Sequence, residues 1–400
     1  MFYKSVNGHE RGNVYDLLIR GGTVVDPSQG LHAVRDIAVS GTTIAAILEP
    51  GHGQSAQHEI EADGCLVTAG LIDLHVHVYP HIPLGLEPEP LCSAGGVTTM
   101  LDAGSAGCNN FDAFRRSTID LSRTQILGLV NLARPGLVAA ELGELLDRRH
   151  ADAQGVIETI ARNPDVAVGV KLRAGTHIIG SGADGWANLH DAVRAARESR
   201  TWLMVHIGEC PMSVPEIVNE LSPGDVLTHC FKGGSTRITD DQEKVYDDVR
   251  AARERGVVFD IGHGYGSFNW EVADAALADG FEPTTISTDL HIKNLHGPVY
   301  DMPTTMSKFL MLGVPLDRVI AMATVNPARV LGRDGDIGTL KPGTVADIAV
   351  FEQLEGPFKL ADSYGRERSG RTLLVAAATI RRGELLPGGG GRRMRFRCCH

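Results

Sequence analysis

The sequence predicts an α/β chain in which a (β/α)8 TIM-type barrel carries a small composite β-sandwich built from its two ends. Three observations lead there. Eight short apolar runs, each ending in polar or glycine-rich residues, alternate with stretches of helical periodicity. Alternating apolar and polar residues broken by glycine occupy both ends of the chain. The length of 400 residues exceeds one minimal domain and suits a large barrel plus a smaller unit.

The alternation runs from Tyr15 to about residue 62, as in Asp16-Leu17-Leu18-Ile19-Arg20 and Asp36-Ile37-Ala38-Val39-Ser40-Gly41, and reads as antiparallel strands with tight turns. It returns at 346–351 and 373–380, so residues 1–65 and 336–387 are expected to form one β unit around a barrel at 66–335. The apolar runs of the barrel are 71–78, 98–104, 126–133, 167–173, 202–208, 226–231, 257–264 and 285–291. Strands buried on both faces, as in a parallel sheet with helical crossovers, need such continuous runs. Between them, Leu189, Ala192, Val193 and Ala196 recur with a helical stripe, and Val245, Val249 and Ala252 follow it. Asn326 is expected to cap a late helix, with Pro327 as its first residue. An open doubly wound sheet is the alternative fold. Residues 388–400, which open on a glycine run and end in Cys398, Cys399 and His400, read as a flexible tail without a role of their own.

A net charge of -11 with scattered Lys and Arg repels phosphate backbones and anionic membranes, so neither a nucleic acid nor a membrane is expected as a partner. No apolar window is long enough to span a bilayer, and the first ten residues lack the apolar core of a signal peptide, so the expected location is the cytoplasm. The seven cysteines, among them Cys65, Cys92, Cys210 and Cys230, mostly sit in or beside apolar stretches and read as reduced, buried thiols.

The chemistry is carried by residues at the ends of the barrel runs. In Asp73-Leu74-His75-Val76-His77, two histidines one residue apart on a strand project the same way. A lone pair of this kind is a weak signal. However, Lys171 interrupts the fourth run, His206 closes an apolar stretch in the fifth, His229 follows one in the sixth and Asp289 follows one in the eighth. All of them then converge on the C-terminal mouth, where barrels of this kind build their sites. Imidazoles and a carboxylate suit zinc or a neighbouring transition metal. Lys171 is the unusual member, because an ammonium has no lone pair and is costly to bury. Burial can depress its pKa, and a neutral amine reacts with carbon dioxide to give a carbamate able to bridge two ions. A lysine snorkelling to solvent is the alternative.

These residues resemble the binuclear branch of the amidohydrolase superfamily, whose ligand pattern His75, His77, Lys171, His206, His229 and Asp289 match in order. The resemblance spans nearly the whole chain, including Gly70-Leu71-Ile72-Asp73 and the segment 338–347. It implies a composite terminal β unit, an N6-carboxylated Lys171 and two divalent metal ions, usually zinc. His75, His77 and Asp289 would hold the more buried ion and His206 and His229 the other, with Lys171 shared. A metal-bridging hydroxide would attack the substrate carbonyl, while Asp289 acts as general base and then acid.

Segments 102–107, 171–173, 228–233 and 260–264 resemble the deacetylase branch once often labelled dihydroorotase, whose members resemble hydrolases of acetylated hydroxy or amino carboxylates. Dihydroorotases typically carry arginine two places after the second histidine, where this chain has Tyr79. A small anionic substrate needs a cation at the mouth, and Arg173, on the same strand face as Lys171, is placed for it, with Arg134 as competitor. For each, a plain surface ion pair is the alternative. His263 is a further candidate contact and His291 a neighbour of the ligands. The favoured reading is hydrolysis of an acyl ester or amide; the alternatives are a cyclic amidase of dihydroorotase or hydantoinase type and a barrel without chemistry that acts as a binding protein. The last would be expected to have lost ligands, and none is missing. A mononuclear deaminase needs no bridging lysine. The resemblance also suggests a homo-oligomer.

Overall fold

The computed structural model describes residues 3–5, 15–51, 53–89 and 91–387. The tail expected at 388–400, with Cys398, Cys399 and His400, and most of the first fourteen residues lie outside the described residues.

Seven of the eight apolar runs form parallel strands, each paired with the next in sequence: Leu71–Val76, Val97–Asp102, Gln125–Asn131, Ala167–Arg173, Trp202–His206, Val226–Thr228 and Val258–Asp260. Parallel neighbours require crossovers, which helices such as Ala153–Arg162 and Gly182–Glu198 supply. The eighth run is extended without forming a regular strand, and it closes the barrel. Thr285 bridges Asp260 of the seventh strand and Leu290 bridges Val76 of the first, both in parallel. Backbone hydrogen bonds carry the closure, from Ile261 N–H to the Thr285 carbonyl (3.2 Å) on one side and from Asp289 N–H to the His75 carbonyl (2.6 Å) on the other. The hydrogen-bonded strands stop short of their apolar runs for a local reason. His229 (φ 72°) and Asp289 (φ 47°) adopt left-handed conformations, which break the ladder at the mouth.

The helical stripes appear with shifted ends. Leu189, Ala192 and Ala196 are buried on Gly182–Glu198, with Val193 half-buried. Val249 and Ala252 are buried on Asp247–Glu254, whereas Val245 packs from the turn before it. The helix expected to start at Pro327 instead spans Val325–Val330 with Thr324 at its N-cap position. Proline is tolerated in the first turn because its missing N–H would have no partner there, so it does not mark the first residue. Asn326 is therefore not the cap, and its Nδ2 donates to the Thr284 carbonyl (2.9 Å).

The two chain ends share one mixed sheet, in which Leu66–Ala69 pairs antiparallel with Ile348–Ala361 and sets Val67 opposite Val350. The C-terminal runs are longer than their apolar cores, forming a hairpin of Ile348–Ala361 and Glu367–Arg381 whose outer half alternates half-buried with exposed residues. Its turn reaches the barrel mouth. Ser363 N–H donates to the Phe268 carbonyl (2.9 Å), and the Trp270 indole N–H donates to the Arg366 carbonyl (3.0 Å). The Tyr364 hydroxyl accepts from Gly233 N–H (3.1 Å) and donates to the Gly266 carbonyl (3.2 Å). Lys308, fully buried on the helix Met302–Met311, donates to the carbonyls of Ala361 (2.7 Å) and Pro298 (2.9 Å) and reaches His263 Nε2 (2.6 Å). Among the described residues, Cys65, Cys108 and Cys210 are half-buried and Cys230 is fully buried. No helix among the described residues is long and apolar enough to cross a membrane.

Burial lowers the Lys308 pKa to about 7, against an attraction to Asp362 and Asp301. An unfolded lysine titrates near ~10.4, so between these values the native chain binds fewer protons than the unfolded one, and this residue makes stability rise with pH. Lys308→Met is expected to flatten that rise in urea titrations between the two pH values. It should also speed hydrogen exchange of the Ser363 amide by about tenfold, the equivalent of one hydrogen bond. Unchanged exchange there would show that Lys308 does not hold the hairpin turn.

Candidate metal centre

His75 and His77 leave the first strand toward the same point: their Nε2 atoms lie 3.3 and 3.2 Å from one oxygen of Asp289, Oδ1. The other Asp289 oxygen is 4.0 Å from His229 Nε2, and that nitrogen is 2.7 Å from His206 Nδ1. Lys171, whose side chain is fully buried, places Nζ 3.3 Å from His75 Nε2 and 3.2 Å from Met204 Sδ. The six side chains singled out in the sequence thus meet at one mouth. Room for Lys171 depends on Gly104, where φ is +80° and a Cβ would stand 2.6 Å from the lysine Cβ. Gly264 does the same for Asp289: at φ +57°, its Cβ would come 2.5 Å from Oδ2.

The imidazoles are held by their outer nitrogens. His75 Nδ1 is 2.9 Å from Thr228 Oγ1, His77 Nδ1 is 2.9 Å from Ser105 Oγ, and His229 Nδ1 donates to the Gly262 carbonyl at 2.5 Å. A proton on each Nδ1 leaves Nε2 as a bare lone pair facing the centre. Burial keeps these rings neutral: it pushes His77 down to about 3 and His229 to about 4, and takes His75 and His206 well below the usual value. Lys171 falls to about 7 for the same reason, partly opposed by the Asp289 charge. Neutral nitrogen donors converging on a carboxylate make a site short of positive charge, and the ligand atoms of His75, His77 and Asp289 all lie within 4.8 Å of one another. That donor set fits a divalent ion.

The candidate substrate contacts separate. Arg173 is part-buried, and its Nη1 donates to both oxygens of the buried Glu144, at 3.0 and 3.1 Å. Its charge is felt by His77, Lys171, His206, His229 and His291, which places it beside the centre. Arg134 is exposed and paired with Asp152 (3.2 Å). His263 is fully buried, stacked on Phe268, and both ring nitrogens are engaged, Nε2 by Lys308 and Nδ1 by the Gly264 carbonyl (3.0 Å). It braces the wall and offers no free nitrogen to a substrate. His291 lies 6.3 Å from His77 between ring centroids, with Nδ1 accepting from Lys293 N–H. Tyr79 is buried against Phe114.

The amidohydrolase family model matches residues 66–378. The chain belongs to the amidohydrolase family. Relatives within the family include a deacetylase of Enterococcus faecalis, 37% identical over 93% of this chain and 99% of that protein. A deacetylase of Agrobacterium fabrum is 37% identical over 82% of this chain and 81% of its own length. Solved amidohydrolase structures overlay closely. One titled as an adenine deaminase has a TM-score of 0.85 at 36% identity, covering 93% of this chain and 99% of its own. One titled as a dihydroorotase has a TM-score of 0.85 at 34% identity over 93% and 98%. Like its relatives in the amidohydrolase family, this chain is a metal-dependent hydrolase.

Sequence reasoning missed the carboxylates behind the centre. Asp73 accepts from Thr288 N–H (3.0 Å) and its hydroxyl (2.5 Å), Asp102 from Val78 N–H (2.9 Å) and Ser105 N–H (2.7 Å), and Asp260 from three hydroxyls. Asp73, Asp102 and Asp260 do sit in the first, second and seventh apolar runs, but no spacing rule gives them a partner. Glu144 lies in a loop, 29 residues before Arg173, with no local signal at all.

Gly264→Ala is expected to leave the fold intact and displace Asp289. Metal content after reconstitution, read by mass spectrometry, should fall by at least half. Full metal content in that variant would show that Asp289 does not need the space.

Proposed function

We propose that this amidohydrolase cleaves the acyl ester or amide bond of a small carboxylate-bearing substrate, in the manner of a deacetylase. Two zinc ions would be held by His75, His77 and Asp289 on one side and by His206 and His229 on the other, with an N6-carboxylated Lys171 between them. The observation that carries this reading is the meeting of all six side chains in one buried mouth, with the amine of Lys171 only 3.3 Å from His75. An imidazole and a thioether are its nearest partners, and neither balances a full positive charge. Attack of the neutral Nζ lone pair on the carbon of carbon dioxide, with loss of one N–H proton to solvent, forms the carbamate and removes that burden. When bound, divalent ions make water a nucleophile near neutral pH and polarise a carbonyl.

The chain's own groups do the rest. Asp289, with one oxygen toward His75 and His77 and the other toward His229, is placed to take the proton of the attacking water and deliver it to the leaving alkoxide or amine. Arg173 presents a cation beside the centre for the substrate carboxylate, which a guanidinium binds well. Arg134, turned to Asp152 and solvent, is the weaker choice. Against a cyclic amidase of dihydroorotase type stands Tyr79, whose ring packs on Phe114 and offers no cation. The charge of -11 argues against nucleic-acid partners.

A screen of N-acetyl amino acids and O-acetyl hydroxy acids, with dihydroorotate, hydantoins and adenine as the other arms, tests the substrate class. Turnover confined to the acetylated acids is expected; turnover of the cyclic amides or adenine alone would overturn it. Lys171→Met should lower kcat by at least about 10³-fold, several kcal/mol of lost stabilisation, and reduce the bound zinc from two equivalents to one or none. Arg173→Met should raise KM for carboxylate substrates by about 10–100-fold, a charged hydrogen bond's worth, with kcat little changed. A fall in kcat at constant KM would remove Arg173 from substrate binding.

A further inference from the structure

Asp260 lies at the end of the seventh strand and is fully buried, and three hydroxyl groups point at its carboxylate. Thr285 donates to Oδ1 at 2.7 Å, and Thr228 and Ser287 donate to Oδ2, each at 2.7 Å. These hydroxyls lead to two different histidines of the centre. The Thr228 proton is committed to Asp260, so toward His75 Nδ1, 2.9 Å away, Oγ1 can only accept. The His75 proton is thereby held on Nδ1, and Nε2 faces Asp289 and Lys171 as a lone pair.

The second branch runs through backbone. Ser287 Oγ, its own proton committed to Asp260, accepts from Gly262 N–H at 3.0 Å, and the carbonyl of Gly262 accepts from His229 Nδ1 at 2.5 Å. One carboxylate therefore anchors the partners of a histidine on the first strand and of another beyond the sixth. An analogous relay stands behind His77: its Nδ1 meets Ser105 Oγ at 2.9 Å, and the Ser105 side chain bonds to Asp102.

We propose that Asp260 is a positioning residue for the centre: by orienting the Thr228 hydroxyl it sets which ring nitrogen of His75 is free to bind a cation, and through Ser287 it braces the backbone at Gly262 whose carbonyl receives His229. This rests on the metal-ligand reading above, and its test separates the two. A carboxylate that merely stitches strands together would affect stability without choosing a tautomer. One that positions must affect the rings themselves. When Asp260 is removed, the Thr228 hydroxyl is free to turn and donate to His75 Nδ1, which drives the ring proton to Nε2 and blocks the coordinating lone pair.

The experiment uses the full chain labelled with ¹⁵N-histidine and stripped of metal. Long-range nitrogen–proton spectra, with His75 assigned through its loss in His75→Asn, should show the Nδ1–H tautomer in the parent. In Asp260→Ala, and in the milder, nearly isosteric Thr228→Val, the ring should shift toward Nε2–H. Zinc affinity, measured by competition with a chromophoric chelator, should fall about 10–100-fold in either variant. The double variant should be no worse than Asp260→Ala, because both act through one relay. Thr228→Val keeps the test decisive should Asp260→Ala not fold. A folded variant with the parent tautomer and parent zinc affinity, or additive losses in the double, would overturn the proposal. Absence of zinc binding by the parent would instead sink the metal-ligand reading, while the tautomer result would still judge the relay.

Discussion

The centre depends on how the eighth apolar run closes onto the first strand. Asp289 N–H donates to the His75 carbonyl at 2.6 Å, and this contact brings the carboxylate that ends one run against the histidines that end the other. The closure has only single bridges, at Asp260–Thr285 and Val76–Leu290, but backbone bonds continue beside them, from His263 N–H to the Ser287 carbonyl (3.1 Å), from Gly264 N–H to the Thr288 carbonyl (3.0 Å) and from His77 N–H to the Leu290 carbonyl (3.0 Å). Side chains add to them. Asp73 takes both the amide and the hydroxyl of Thr288, and Asp260 takes the hydroxyls of Thr285 and Ser287. Backbone bonds and carboxylates together hold the eighth run in place. The left-handed conformation of Asp289 (φ 47°) then becomes affordable, since the neighbours on either side over-determine the backbone.

The same carboxylates explain the electrostatics. Four imidazoles and a lysine are kept neutral or nearly so by burial, which would be wasteful if the site were only structural. Behind them, burial raises the pKa of Asp73, Asp102 and Asp260; hydroxyls and backbone amides lead the offset at Asp73 and Asp260, while at Asp102 the His77 ring leads and the Ser105 and Val78 donors follow. A cation in place of those donors would compete with any ion at the centre. Hydroxyls satisfy a carboxylate without adding charge, and they pass its orientation on to a ring nitrogen.

Much of this was legible in the sequence because a strand has a period of two and a barrel has one mouth. His75 and His77 had to face the same way, and Lys171, His206, His229 and Asp289 shared the strand-end position that a barrel makes common. Strand ends were less legible: the run 226–231 yields only Val226–Thr228 as strand, since the positive φ of His229 is a tertiary outcome that no local residue preference announces. The start at Val325 of the helix expected at Pro327 failed for a related reason, because proline fits several places in a first turn. Most hidden were partnerships between distant residues. Glu144 meets Arg173 and Tyr364 meets Gly233 only because loops and a hairpin from another part of the chain fold over the mouth.

Glu144 shows why such a partner is needed. Arg173 pushes down the pKa of Lys171 and of the His77, His206 and His229 rings, so an unbalanced guanidinium there would also repel a metal cation. A buried carboxylate 3.0 Å from Nη1 opposes that charge. Both Glu144 oxygens crowd one nitrogen of the fork, and a planar guanidinium has further donors to present to an anion. A lysine at this position, with a single nitrogen, could not serve the buried glutamate and a substrate carboxylate in the same way. On the proposed function, the two demands on the mouth, tolerance of cations at its floor and attraction for an anion at its wall, would be met by one ion pair whose members face different partners.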